Sequence, residues 1–162
     1  MPFYNFGYGA SRLQPIAVSD VSFAFRVWIN NGTSVERVIS ISRNSDLTYD
    51  VYLDEINVVS KHNKSEKFYR KVKFSAKSGA EKFISKIDSL NLFSYKSVPD
   101  SAFTFTATHQ PSSLYVVEIK EGEKYNCFKF RTHYPITQRE NSKYGDIENL
   151  IFQEFDYKFY FK

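Results

Sequence analysis

From residue 21 onward, apolar and polar side chains trade places with the two-residue period of a half-buried strand. Phe23, Phe25, Val27 and Ile29 fall on one side, and Ala24, Arg26 and Trp28 on the other. Asn30-Asn31-Gly32-Thr33 interrupts the pattern, and Asn-Gly is a strong hairpin signal because both residues tolerate positive φ. The pattern predicts paired strands near 21–29 and 34–42, the second with Val35, Ile39 and Ile41 on one face. After a turn at Arg43-Asn-Ser-Asp46, a third strand is expected with Leu47, Tyr49, Val51 and Leu53 facing one way. Residues 54–65 mix charges, with Ile56 to Val59 as a candidate short strand. Alternation returns from Lys67 to Phe74. Phe68, Val72 and Phe74 point inward, Arg70 breaks their row, and Tyr69, Lys71 and Lys73 point outward.

The period then lengthens to that of a helix. Ser78 can cap a first turn, with Glu81 completing a capping box, and Phe83, Ile84, Ile87 and Leu90 supply an apolar stripe that ends before Pro99. Ala102 to His109 alternates strictly up to Pro111. A further hairpin is expected from Leu114–Lys120 and Tyr125–Tyr134 around Glu121-Gly-Glu-Lys124. Asp146 can cap a second helix carrying Ile147, Leu150, Ile151 and Phe155, and the tail from Tyr157 continues it or turns into an edge strand. Residues 1–20 show no clear period and read as a loosely packed N-terminal strap. The order predicts one α+β domain over residues 1–162, a mostly antiparallel sheet of about 6–8 strands with two helices packed on it. Alternation, instead of unbroken apolar runs, argues against a parallel sheet buried on both sides.

Composition strengthens the β-rich reading. Val and Ile outnumber Leu and Ala, and 16 Phe and 12 Tyr are types that suit a pleated surface. A single cysteine, Cys127, excludes an internal disulfide framework and fits a reducing compartment. The first residues lack a basic stretch followed by an apolar run, and no stretch is long and apolar enough to span a membrane. The expectation is a cytoplasmic protein with no membrane span.

Charge adds a local feature. The net charge is only +4, yet residues 61–86 hold nine Lys/Arg, among them Lys67, Lys71, Lys73, Lys82 and Lys86, against Glu66 and Glu81. Lysines on an edge strand and a helix face keep sheets from aggregating; converging in space, they would hold an anionic partner. Alternation sends the strand lysines away from the row that the helix covers, so the two sets are expected to diverge.

Candidate chemistry is thin. Phosphate loops, the G-x-S-x-G elbow, H-E-x-x-H and C-x-x-C are all missing. His109 and His133, at strand ends, could build an acid–base or zinc site with a carboxylate. Asp50, Asp54 and Glu55, with Glu121 and Glu123, are candidate paired carboxylates, while Cys127 reads as an inert thiol on a strand. Basic and aromatic residues interleave at Lys67–Phe74 and Phe128–Tyr134, as they do in strands that bind nucleic acid, without the glycines of an RNA-recognition signature.

Trp28, Tyr52 and Tyr69 lie opposite the main apolar rows and belong to types that dominate protein interfaces. The leading expectation is therefore a non-catalytic protein-binding domain without a cofactor or metal, concretely a bacterial toxin-neutralising protein of immunity type. One alternative is a binder of an anionic ligand or nucleic acid through residues 61–86. Another is an enzyme built around His109 and His133.

Overall fold

The computed structural model describes Leu13 and residues 16–30, 35–61, 64–98, 113–132 and 142–155. Strands β1 (Phe23–Asn30) and β2 (Val35–Arg43) pair antiparallel with Ala24 opposite Ser42 and Asn30 opposite Glu36, which is the hairpin that the alternation predicts. Strand β3 (Tyr49–Lys61) returns along β2, and β4 (Lys64–Lys73) folds back along β3. Strands β5 (Ser113–Glu121) and β6 (Lys124–Thr132) form the second expected hairpin, in which Glu121 opposes Lys124 and Gly122 supplies a positive φ of 57°. β5 docks against β1, giving one six-stranded sheet in the order β4-β3-β2-β1-β5-β6. Every neighbouring pair is antiparallel.

Helices α1 (Ala80–Ser89) and α2 (Ser142–Phe155) cover one face and complete an α+β arrangement. Phe83, Ile84 and Ile87 of α1, and Ile147, Ile151 and Phe155 of α2, meet the predicted inward rows Phe23, Phe25, Val27, Ile29 and Ile39, Ile41. Full burial of such a side chain contributes roughly 1.5–3 kcal/mol, so this layer dominates stability. Aromatic rings fill it. Phe83 meets Phe25 and Phe155 edge-on at 5.9 and 5.0 Å, and Tyr115 stacks on Phe130 at 4.9 Å, with Tyr144 covering Phe130 at 5.0 Å. Much of the aromatic surplus of the sequence is thus core.

The local expectations need five corrections. Leu47 is not a strand residue: it sits at φ 65° in the turn before β3, 71% exposed, where Asn44 and Thr48 close the backbone around it. Ile56 to Val59 is no separate strand but the middle of a thirteen-residue one. Ser78 does not cap α1, whose N-cap is Gly79 at φ 88°; the Ser78 hydroxyl and amide instead donate to Glu154 Oε2 of α2, at 2.8 and 2.9 Å. α2 starts at Ser142, ahead of the expected cap Asp146. Phe68, read as inward, is 54% exposed. Its row lies beyond the row Ile29–Arg37–Glu55–Arg70, where Arg37 and Arg70 both reach the Glu55 carboxylate, so the apolar core stops before Phe68. The expected strand at 102–109, the Asn31-Gly32 turn and the tail from 157 lie outside the described residues.

Candidate functional site

The second face of the sheet, away from the helices, carries Arg26 and Trp28 of β1, Val38 and Ser40 of β2, Tyr52, Asp54 and Ile56 of β3, Val116 and Glu118 of β5, and Tyr125 and Cys127 of β6. It is not an open recognition surface at its centre. Trp28 is only 8% exposed and packs with Val38, Ile56 and Val116, with Leu13 against the same cluster. Its indole N–H donates to Glu118 Oε2 at 3.1 Å. Arg26 donates to the same oxygen at 3.3 Å, and the Tyr125 hydroxyl donates to Glu118 Oε1 at 3.1 Å. A buried carboxylate demands such donors, because leaving it without them costs several kcal/mol. The three donors come from two other strands, so Glu118 ties β1, β5 and β6 together through side chains as well as backbone.

Cys127 stands opposite Glu118 on β6 and is half-buried. Burial, with the Glu118 charge adding to it, pushes its thiol up to about 11. The same two causes push the Tyr125 hydroxyl far above its ordinary value. Neither group supplies an anion near neutral pH, and a thiol held protonated is a poor nucleophile. On this face Asp54 Oδ2 and Ser40 Oγ are buried and have no hydrogen-bond partner among the described residues. Burial raises the Asp54 carboxyl, against the opposing pull of Lys71 and Arg26.

The acidic candidates do not gather. Asp50 and Asp54 share the second face of β3, Glu55 faces the helix side, Glu121 ends β5 and Glu123 sits in the β5–β6 turn. Among the described residues, no three His, Cys, Asp or Glu side chains lie together as metal ligands. His109 and His133 are outside the described residues.

The basic candidates divide as their alternation predicts. Lys71 and Lys73 belong to the second face through their pairing with Asp54 and Tyr52, whereas Lys82 and Lys86 ride on α1 over the helix face. Lys86 is drawn to the buried Glu154 carboxylate. Lys73 pairs with Asp50 at 3.4 Å, and the Lys71 ammonium lies 4.1 Å from the centre of the Tyr52 ring. The Lys67 side chain is outside what is described. The described cations therefore do not form one patch.

Among the described residues, no strand lies outside the β4 margin of the sheet. β4 is its outermost strand on that side, and Tyr69 (38% exposed) and Phe68 stand on opposite faces of it. Apart from these two, the large exposed hydrophobics of the described residues are Val18 and Leu47. Among the described residues, β2 pairs with β3 as far as Val35 opposite Asn57, and β3 and β4 pair as far as Lys61 opposite Lys64.

Sequence reasoning named Tyr69 and placed Tyr52 on the right face, but it missed Phe68 and Glu118. A lone carboxylate in the apolar run from Leu114 to Ile119 was the available signal. Its partner Arg26, ninety-two positions away, is visible only once β5 lies on β1. No described helix is long and apolar enough to cross a membrane. No protein-family model matches this sequence, and no curated protein or solved structure shows significant similarity to it.

Proposed function

We propose that this chain is a non-catalytic protein-binding domain whose docking region is the β4 margin of its sheet. The observation that carries the reading is the exposure of Phe68 and Tyr69 on opposite faces of that outermost strand. Most other described rings are packed, and burying two exposed aromatics against a partner is the kind of contact from which interfaces gain most. Trp28, named with them from the sequence, is engaged by Glu118 inside the domain and acts as a structural anchor. Tyr52, beneath Lys71, lies beside the docking strand and supports it. Neutralising a bacterial toxin, as immunity-type proteins do, is one form that such binding takes. The separation of Lys71 and Lys73 from Lys82 and Lys86 weighs against one anion-binding patch spanning residues 61–86.

A photoreactive phenylalanine analogue placed at Tyr69, with the still more exposed Leu47 as the control, tests the reading in the cells that make the protein. Discrete protein adducts from position 69, absent from position 47, are expected. Nucleic-acid adducts at 69, or the same pattern at both positions, would overturn it.

A further inference from the structure

The hydrogen-bond phase of β4 shows which of its backbone groups face outward. Phe74 N donates to Val51 O at 2.8 Å, immediately beyond the pairs Lys73–Tyr52 and Val72–Leu53. In an antiparallel ladder, hydrogen-bonded and non-hydrogen-bonded pairs alternate. Even-numbered residues of β4 therefore spend their amides and carbonyls on β3, and Lys71 and Lys73 direct theirs to the outer side. The same two residues carry their side chains on the second face. Backbone donors, backbone acceptors and cations thus coincide at alternate positions along one line.

Charge selects among the possible occupants of that line. β4 holds five Lys/Arg and a single Glu in ten residues. The carboxylates that meet them, Asp50 and Glu55, lie inboard on β3, at 3.4 Å from Lys73 and 3.9 Å from Arg70, and both cationic side chains remain 72% exposed. Such exposed pairs are weak, so a further carboxylate on the outer side can share the cations. A second copy of this chain is a poor occupant. Antiparallel self-pairing centred on Lys71 sets Lys71 against Lys71, and centring on Arg70 sets Arg70 against Arg70, and like charges directly opposite destabilise a ladder.

Resting on the protein-binding reading above, we infer that β4 accepts an extended acidic segment of a partner protein as a seventh, edge-added strand. Its carboxylates recur at every second position, on the face of Lys71 and Lys73, and the apolar side chains between them lie on the face of Phe68. Strand addition of this kind takes affinity from main-chain bonds and specificity from alternate side chains.

The test uses the full chain and fluorescein-labelled synthetic octapeptides. One alternates Glu and Val, a second has the same composition in two blocks, a third alternates Lys and Val, and a mixed-sequence single-stranded oligonucleotide completes the set. The alternating Glu peptide should bind, should weaken as salt rises, and should shift the backbone amide signals of Lys71 and Lys73. Lys71→Pro, which removes an outward amide that β3 does not use, should abolish binding. The double charge reversal K71E/K73E keeps every backbone donor and guards against a folding defect in the proline variant. It should bind the Glu peptide about tenfold more weakly and gain affinity for the Lys peptide. Equal binding of the block peptide, or tighter binding of the oligonucleotide, would overturn the inference. Protein adducts from position 69 with no binding of the alternating peptide would sink edge addition while leaving a protein-binding domain in place.

Discussion

β6 and β4 both end the sheet, and the chain treats their outer edges in opposite ways. Along β6 the segment that follows α1 is laid over the margin: Val98 N donates to Lys129 O at 2.9 Å, and Lys129 N donates to Ser97 Oγ at 3.1 Å. The Asn126 side-chain amide adds bonds to the carbonyls of Leu92 and Tyr95 at 2.8 and 3.0 Å. Rings close the same side, Tyr95 lying 5.1 Å from Phe128 and 5.4 Å from Tyr144. Along β4 no described strand lies outside, and the side chains that meet water are Phe68, Tyr69 and cations. An uncovered sheet edge is a liability that proteins normally blunt, and lysines do so against copies of the same strand. The contrast sets a ring-packed, covered edge at β6 against an edge at β4 that, among the described residues, carries exposed rings and cations; under the function proposed above, the first supplies stability and the second recognition.

The sharpest challenge to that division is Phe128→Ala. The ring is fully buried among Tyr95, Phe130 and Tyr144, and its loss should cost about 3–5 kcal/mol in chemical denaturation. A cost below about 1 kcal/mol would mean that the β6 half is not where stability lies.

The next concerns the joint between the halves. Glu154 of α2 receives Ser78 and Lys86 from the segment that follows β4, and Lys77 N donates to its carbonyl. Burial pushes the Glu154 carboxyl up, but hydrogen bonds from Lys86 and Ser78 outweigh it and hold the carboxyl below its ordinary value. A depressed carboxylate contributes fully above its unfolded pKa, near about 4.3, and that contribution fades as pH falls through the folded value. Wild type should therefore lose stability on acidification more steeply than Glu154→Gln, measured as denaturation midpoints across about pH 6 to 3. Parallel curves would show that the joint carries no charge-dependent stability.

The smallest expected change is the counterpart of the first. Phe68→Ala should alter stability by no more than about 0.5 kcal/mol, since the ring already meets water. A loss of several kcal/mol would place Phe68 inside the fold and remove it from the proposed docking region.

Alternation by itself determined the inward rows of β1 and β2 and the pairing of β1 with β2 and of β5 with β6, because a period of two fixes which side chains share a face wherever the strand stays regular. It failed where a distant element decided. Ser78 reads as a cap until α2 brings Glu154 to it, and Phe68 reads as core until the Arg37–Glu55–Arg70 row ends the core one position earlier. Trp28 illustrates both sides of the limit. Its position opposite the apolar row was legible, but whether that face met water was not. Burial depends on what the other strands place beside it, and Glu118, Val116, Val38 and Ile56 arrive from β5, β2 and β3. The division of lysines between two faces was also legible, because both periods are local. That no described strand lies outside β4 was not: strand order follows from which distant segments pair, and that is settled only when the whole sheet closes around its core.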